Sequence, residues 1–191
     1  MAKYTQKAII ESFMELLQKK SLDKITVKDI IEETEVNRNT FYYHFQDIYD
    51  LLESAFEEEA VKFRSEADPK NNFYEEYIRT VNFLLDHSDA IIHIYNSKSR
   101  DVIKTYLESA ASFFIGRFVE EAAEGSKLSE NGKNYIIYFY TDAIIGITLR
   151  WIEGSMMDSK EVLIKTVSDS FNATVKQMVT SYIESHPEEC K

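Results

Sequence analysis

Residues 26–45 read TVKDIIEETEVNRNTFYYHF, and this stretch decides the fold. Thr26 stands just before an apolar stripe of Val27, Ile30 and Ile31 at helical spacing. It is therefore placed to cap a helix, with Asp29 at the third position of a capping box. Glu33, Thr34 and Glu35 then lead to Val36 and Asn37. Asn37 is a good cap for a second short helix, from Arg38 to about His44, with Phe41 and Phe45 four apart on its inner face. Two short helices joined by a turn of about four residues, sharing a small apolar core, have the layout of a helix-turn-helix. The second helix would expose Arg38, Asn39, Thr40, Tyr42, Tyr43 and His44. All are hydrogen-bond donors, and several carry planar groups suited to phosphates or base edges. No carboxylate occurs in residues 36–46, whereas the whole chain carries a net charge of −11.

The charge is unevenly spread. Residues 1–47 hold seven Lys/Arg and eight Asp/Glu, and residues 48–191 hold fifteen and twenty-five. Overall acidity argues against a protein that coats nucleic acid without discrimination, so any contact with a polyanion must use a local patch in the first quarter. The length of 191 residues supports one domain, or two small ones sharing contacts. A single Cys rules out a disulfide framework, and the start MAKYTQKAII lacks a long apolar run, so a cytoplasmic chain is expected.

Outward from the motif, nearly every stretch has helical periodicity. Ile9, Ile10, Phe13, Met14 and Leu17 form one face before it, and Ile48, Leu51, Leu52, Ala55, Phe56, Ala60 and Phe63 form another after it. Asp68-Pro69-Lys70-Asn71-Asn72 is the best boundary candidate. A helix with Tyr74, Tyr77, Ile78, Val81, Leu84 and Leu85 follows, then a short helix from Ala90 to about Tyr95 capped by Ser88 or Asp89. Residues 135–152, YIIYFYTDAIIGITLRWI, are the most apolar. Asp142 and Arg150 lie within them, each costing about 2.5–3.5 kcal/mol near a bilayer centre, so no membrane span is expected. The segment reads instead as a helix buried nearly all round, with Gly154 as its left-handed stop. Asp158 or Ser159 caps a last helix, and residues 186–191 read as a frayed tail. The expected fold class is all-α, with about nine helices.

The run Asn37-Arg38-Asn39-Thr40-Phe41-Tyr42-Tyr43-His44-Phe45, with Thr26-Val27-Lys28-Asp29-Ile30 before it and Asp50-Leu51-Leu52 after it, resembles the N-terminal domain of TetR-type transcriptional regulators. The resemblance covers about residues 6–53. It implies a helix-turn-helix DNA-binding domain over residues 1–47 and a helical regulatory and dimerisation domain over 48–191, with the helix from residue 48 bridging them. It also implies roles. Thr26 resembles the family's phosphate-contacting cap, and Lys28 stands where the family faces DNA. Arg38, Asn39, Thr40 and Tyr43 stand at positions used for base edges or the adjacent backbone, and Tyr42 and His44 resemble a phosphate clamp. Two departures stand out. Glu35 replaces a frequent turn Gly, and Gln46-Asp47-Ile48 lacks a frequent Lys, which predicts weaker binding at high salt. A subgroup that includes regulators of dihydroxyacetone metabolism has a similar Arg-x-Thr-Phe-Tyr-x-His-Phe run.

The function expected is a sequence-specific regulator, a ligand-responsive homodimeric repressor on a near-palindromic operator. The rivals are an activator working through a partner protein, and a helical structural or enzymatic dimer. The expected partners are a double-stranded DNA operator, a second copy and a small-molecule effector. Tyr77, Tyr106, Phe113, Tyr138 and Trp151 are candidates for an effector pocket, although aromatic stripes are more often plain core. Asp142 joins them as a carboxylate in an apolar run that pairs with Arg150, meets a ligand donor, or is simply exposed. Gly146, Leu163, Val167, Phe171 and Met178 are the expected dimer contacts, since an all-round apolar helix and a terminal near-heptad seam need a second copy to cover them. His87 and His93 are six apart and off one helix face, and Cys190 sits near the end, so neither metal nor cofactor is expected. No catalytic motif is present, and an enzyme is not expected.

Overall fold

The computed structural model describes residues 2–189. Among these there are nine α-helices and no strand: α1 Ala2–Lys19, α2 Val27–Thr34, α3 Arg38–His44, α4 Ile48–Ser65, α5 Phe73–Asp86, α6 Ser88–Tyr95, α7 Asp101–Ala122, α8 Glu130–Glu153 and α9 Lys160–Ser185. The break after α1 is a 3-10 turn, Leu22–Lys24, with Leu22 buried. Helix starts are set by side-chain caps where the sequence offers them. Asp47 Oδ1 accepts from the Tyr49 and Asp50 amides at 2.8 and 2.9 Å, and the Asp50 carboxylate accepts the Gln46 amide at 2.7 Å. At α5, Asn72 and Glu75 form a reciprocal pair, each side chain accepting the other's amide. Ser129 caps α8, and of the two candidates for α9 it is Ser159 that accepts the Val162 amide.

Two compact units divide the chain. One comprises residues 1–62 and 84–106, the other 63–83 and 107–191. In the first, α1 packs on α2 and on α6, and α2 packs on α3. Ile9, Phe13, Leu17, Ile30, Phe41, Leu51, Ala90, Ile91 and Ile94 are sealed from solvent. His93, on α6, bonds through Nδ1 to the Leu17 carbonyl of α1 at 2.7 Å. The first unit is therefore larger than residues 1–47. In the second, an aromatic cluster forms the core: Phe73 stacks on Phe171 at 4.0 Å and meets Phe114 edge-on, and Tyr140 meets Phe171 at 4.7 Å.

Several expectations need correcting. Helix α8 is not buried all round: Ile136, Tyr140, Ile144, Ile145, Trp151 and Ile152 are covered, while Tyr135, Tyr138, Phe139, Asp142, Gly146, Ile147 and Arg150 face outward. Gly154 is not left-handed; the chain reverses through Ser155 and Met156, both at positive φ. Helix α6 starts two residues earlier than expected, with no side-chain cap. The loop at 68–72 lies inside the second unit and marks no boundary between the two. Residues 186–189 are not frayed: His186 stacks on Tyr182, and Glu189 accepts hydroxyl bonds from Ser129 and Tyr182 at 3.1 Å each. Cys190 lies outside the described residues. No described helix is long and apolar enough to cross a membrane.

Glu35 ends α2 in the left-handed region, at φ 55° and ψ 16°. A Cβ there crowds the following carbonyl, which Gly avoids. Glu35→Gly should hold stability level or raise it by up to about 1 kcal/mol, and Glu35→Val should lower it by about 1–2 kcal/mol. Urea unfolding of the two variants checks this; similar midpoints would remove backbone strain as the reason the turn favours Gly.

Candidate nucleic-acid interface

The exposed surface of the first unit is ordered by two caps. At α2, the Thr26 hydroxyl accepts the Asp29 amide at 3.3 Å, while Asp29 Oδ2 accepts both the Thr26 amide and its hydroxyl at 2.7 Å. Lys20 Nζ lies 2.9 Å from Asp29 Oδ1. The Thr26 bonds, with Lys20 adding to them, hold the Asp29 carboxyl down at about 2. At α3, Asn37 Oδ1 accepts the Thr40 amide at 2.8 Å and the Thr40 hydroxyl at 3.1 Å. Phe41 is fully buried and Phe45 nearly so, which fixes the rotation of this seven-residue helix.

That rotation decides what faces out. Arg38, Asn39, Tyr42 and Tyr43 are exposed, at positions i, i+1, i+4 and i+5, and so share one side of α3. Tyr43 is 78% exposed and Tyr42 51%, unusual values for aromatic side chains. The Tyr43 ring stands edge-on to His44 at 5.0 Å, and His44 is half-buried. Thr26 is exposed at the start of α2. Lys28 is exposed on α2 and lies 3.6 Å from Glu32, so its charge is partly met within the helix. Thr40 differs from the other α3 candidates: it is half-buried, and its hydroxyl proton goes to Asn37. Six expected contact residues thus cluster on α3, four of them on its outer side. The arrangement presents planar and cationic donors with no carboxylate among them, which suits phosphate oxygens and base edges.

Residues 9–55 match the family described as bacterial regulatory proteins, tetR family, and residues 71–173 match a transcriptional regulator C-terminal region of the same family. The chain belongs to the TetR family of transcriptional regulators. Over 53 residues it is 40% identical to the HTH-type dhaKLM operon transcriptional activator DhaS of Lactococcus lactis subsp. lactis (strain IL1403). That match spans 28% of this chain and 28% of the relative. A solved structure, the dihydroxyacetone kinase operon activator DhaS, superposes with a TM-score of 0.73 over 91% of this chain and 97% of its own, at 22% identity; the likeness is one of fold.

The TetR-type helix-turn-helix was legible in sequence; the second unit was less so. The six effector-pocket candidates do not form a single lining. Tyr77 is sealed in the core, its hydroxyl 2.9 Å from Thr148, and burial pushes that hydroxyl up to about 12. Tyr106 is buried edge-on to Phe56 in the first unit. Tyr138 and Asp142 are on the surface, so Asp142 is simply exposed. Trp151 donates through Nε1 to the Asp158 carbonyl and lines an open groove of about 740 Å³ between α8 and α9. Phe113 lines a different, smaller pocket of about 290 Å³ with Arg64, Glu76 and Arg117. Sequence reading passed over those three charged residues; the signal was faint, since Glu76 follows Glu75 in the first turn of α5, where acids are ordinary. Among the expected dimer contacts, Val167 and Phe171 point into their own core and must be withdrawn from any outward face. Leu163 and Met178 are half-buried and Gly146 is exposed.

The Asp29 cap has a pH signature. Its carboxyl titrates lower in the folded chain than the ordinary 3.8, so its stabilisation is complete above about pH 4 and is lost as pH falls through about 2. Asp29→Asn should cost about 1 kcal/mol at pH 7, and its deficit against the parent chain should fade between pH 4 and 2. Denaturant titrations across that range check it; an undiminished deficit at pH 2 would show that the carboxylate charge is not what holds the cap.

Proposed function

We propose that the chain is a homodimeric, cytoplasmic regulator that binds a near-palindromic DNA operator through α3, represses transcription and is released by a small-molecule effector. The observation that carries the DNA reading is the acid-free outer side of α3 in a chain of net charge −11. In this reading residues 1–47 are the DNA-binding domain and residues 48–191 the regulatory and dimerisation domain. Thr26, Tyr42 and His44 contact phosphates and set the register. Arg38, Asn39 and Tyr43 read bases, with Arg favouring guanine and Asn adenine. Lys28 adds a phosphate contact, and Thr40 serves chiefly as part of the α3 cap.

Homodimerisation is supported by an uncovered apolar stripe. Tyr138 is 66% exposed and Val162 65%, and Phe139 and Ile147 are exposed with them beside the α8–α9 groove. Exposed apolar surface of this extent is typical of an interface, and a second copy is the occupant assigned to it in this reading. Two α3 helices in one dimer would then enter major grooves about one helical turn, or a small multiple of one, apart. An effector that favours one spacing of the two heads shifts DNA affinity by its differential binding.

A second reading, transcriptional activation, is favoured by the printed names of both relatives, which are operon activators. The operator's position relative to the promoter, together with reporter output in a deletion strain, separates the two.

Selection from a random duplex pool at about 150 mM salt, where non-specific binding is weak, should enrich a palindrome. Arg38→Ala should then cost about 1–3 kcal/mol and relax one base position in each half-site. No enriched sequence from folded protein, or an unchanged preference in Arg38→Ala, would overturn the readout. Val162→Glu and Ile147→Glu, both on exposed positions, should give monomers by light scattering. A dimer that survives both would move the interface elsewhere.

A further inference from the structure

The pocket beside Phe113 is lined by two arginines and one buried glutamate. Glu76 is fully buried within its wall. One of its oxygens lies 2.6 Å from Arg79 Nη1, and the other accepts Asn71 Nδ2 at 3.0 Å. Arg79 does not line the pocket. Glu76 is thus held chiefly from outside the pocket, and Arg117 Nη2 makes a longer ion pair with it at 3.7 Å. Arg117 donates to the Asp68 and Asn71 carbonyls at 3.0 and 2.6 Å, and its Nε is buried with no acceptor among the described residues. Arg64, at the end of α4, donates to the neutral Ser109 hydroxyl. Two guanidiniums line this pocket beside one carboxylate, and Arg79 pairs that carboxylate from outside, so three guanidiniums gather around a single negative charge. Arg64 and Arg117 line the pocket, and an anion seated there is the acceptor that the guanidinium surface they present to it would take.

We propose that this pocket, between Arg64, Glu76, Phe113 and Arg117, binds a small organic monocarboxylate. Its carboxylate lies between Arg64 and Arg117, and its short apolar or aromatic body covers the exposed Phe113 ring. Guanidiniums match carboxylates and phosphates alike in a two-pronged geometry, and the apolar wall of Ala67, Pro69, Phe113 and Phe114 favours a carboxylate carried on an organic body over inorganic phosphate. A volume of about 290 Å³ has room for a body of one aromatic ring or a short alkyl chain. The inference supplies a ligand class for the regulatory role proposed above. It is read without DNA, so its failure and the failure of the operator reading are separately visible.

The test is calorimetric titration and thermal shift of the full chain with sodium benzoate, sodium butyrate, inorganic phosphate and the uncharged benzyl alcohol. Benzoate or butyrate should bind saturably and raise the melting temperature, with phosphate weaker and benzyl alcohol silent. Arg64→Gln should weaken that binding roughly tenfold or more. Phe113→Glu, on an exposed position, should abolish it by placing a competing carboxylate at the pocket while the ligand-free melting curve stays in place. The second variant decides the matter if Arg64→Gln does not fold. The proposal is overturned if neither carboxylate binds, if Phe113→Glu binds as well as the parent chain, or if phosphate or benzyl alcohol binds as tightly as the carboxylates.

Discussion

The burial of Phe41 is the constraint on which the reading surface depends. Helix α3 has only seven residues, and a rotation of one residue about its axis, roughly 100°, would swing Phe41 into solvent and another side chain into the core. Sealing a Phe contributes about 1.5–3 kcal/mol, several times what exposed side chains of such a short helix contribute through propensity. Core packing, not any preference of Arg38, Asn39 or Tyr43, therefore sets where those groups point. The Asn37 cap fixes the axial start of the helix in the same way that Phe41 fixes its rotation. Glu35 carries the cost of the tight turn between α2 and α3, adopting a conformation that a Gly would enter freely.

Local chemistry is what could be read from the sequence. The Thr26, Asn37 and Ser159 caps need only residues within one turn of each other, and all three are found where the residue types place them. The same holds for the buried stripes of α1 and α4. The illegible part concerns which of two apolar sides meets which neighbour. Periodicity gives Val167 and Phe171 a seam, but it cannot say whether the seam faces the same chain or another. The stack of Phe171 on Phe73, almost a hundred positions away in sequence, assigns it to the core. The α8 segment was misread for the same reason: an apolar residue signals burial somewhere, and Tyr138 and Ile147 are uncovered within the single chain. The Glu76 cluster was missed because its members come from three elements, none unusual alone.

Charge is segregated along the sequence: residues 1–47 carry a net −1 and residues 48–191 a net −10. The acidity of residues 48–191 would repel a polyanion at contact, but its field is largely screened beyond about 8 Å at physiological ionic strength. A patch that excludes carboxylates for eleven successive residues, 36–46, can therefore act on its own surroundings. The same background makes an arginine-rich pocket in the second unit conspicuous, since Arg64 and Arg117 are retained there at a desolvation cost that a fully exposed pair would avoid.

The two glycines of α8 separate what this chain needs for itself from what it needs for a neighbour. A Cβ at Gly132 would come within 2.6 Å of Leu128 and 2.7 Å of the Tyr182 ring, so glycine is required by the fold of the single chain. A Cβ at Gly146 would meet nothing within 4 Å, and Gly146 lies on the outward side with Tyr138, Asp142 and Ile147. Glycine in a helix interior is destabilising by roughly 0.5–1 kcal/mol relative to alanine, and nothing inside the chain offsets that at residue 146. Close approach of a second backbone would offset it, and close approach is what a four-helix bundle built from α8 and α9 of two copies requires. The homodimer proposed here thus rests on a glycine unexplained within one chain as well as on the uncovered apolar stripe around it.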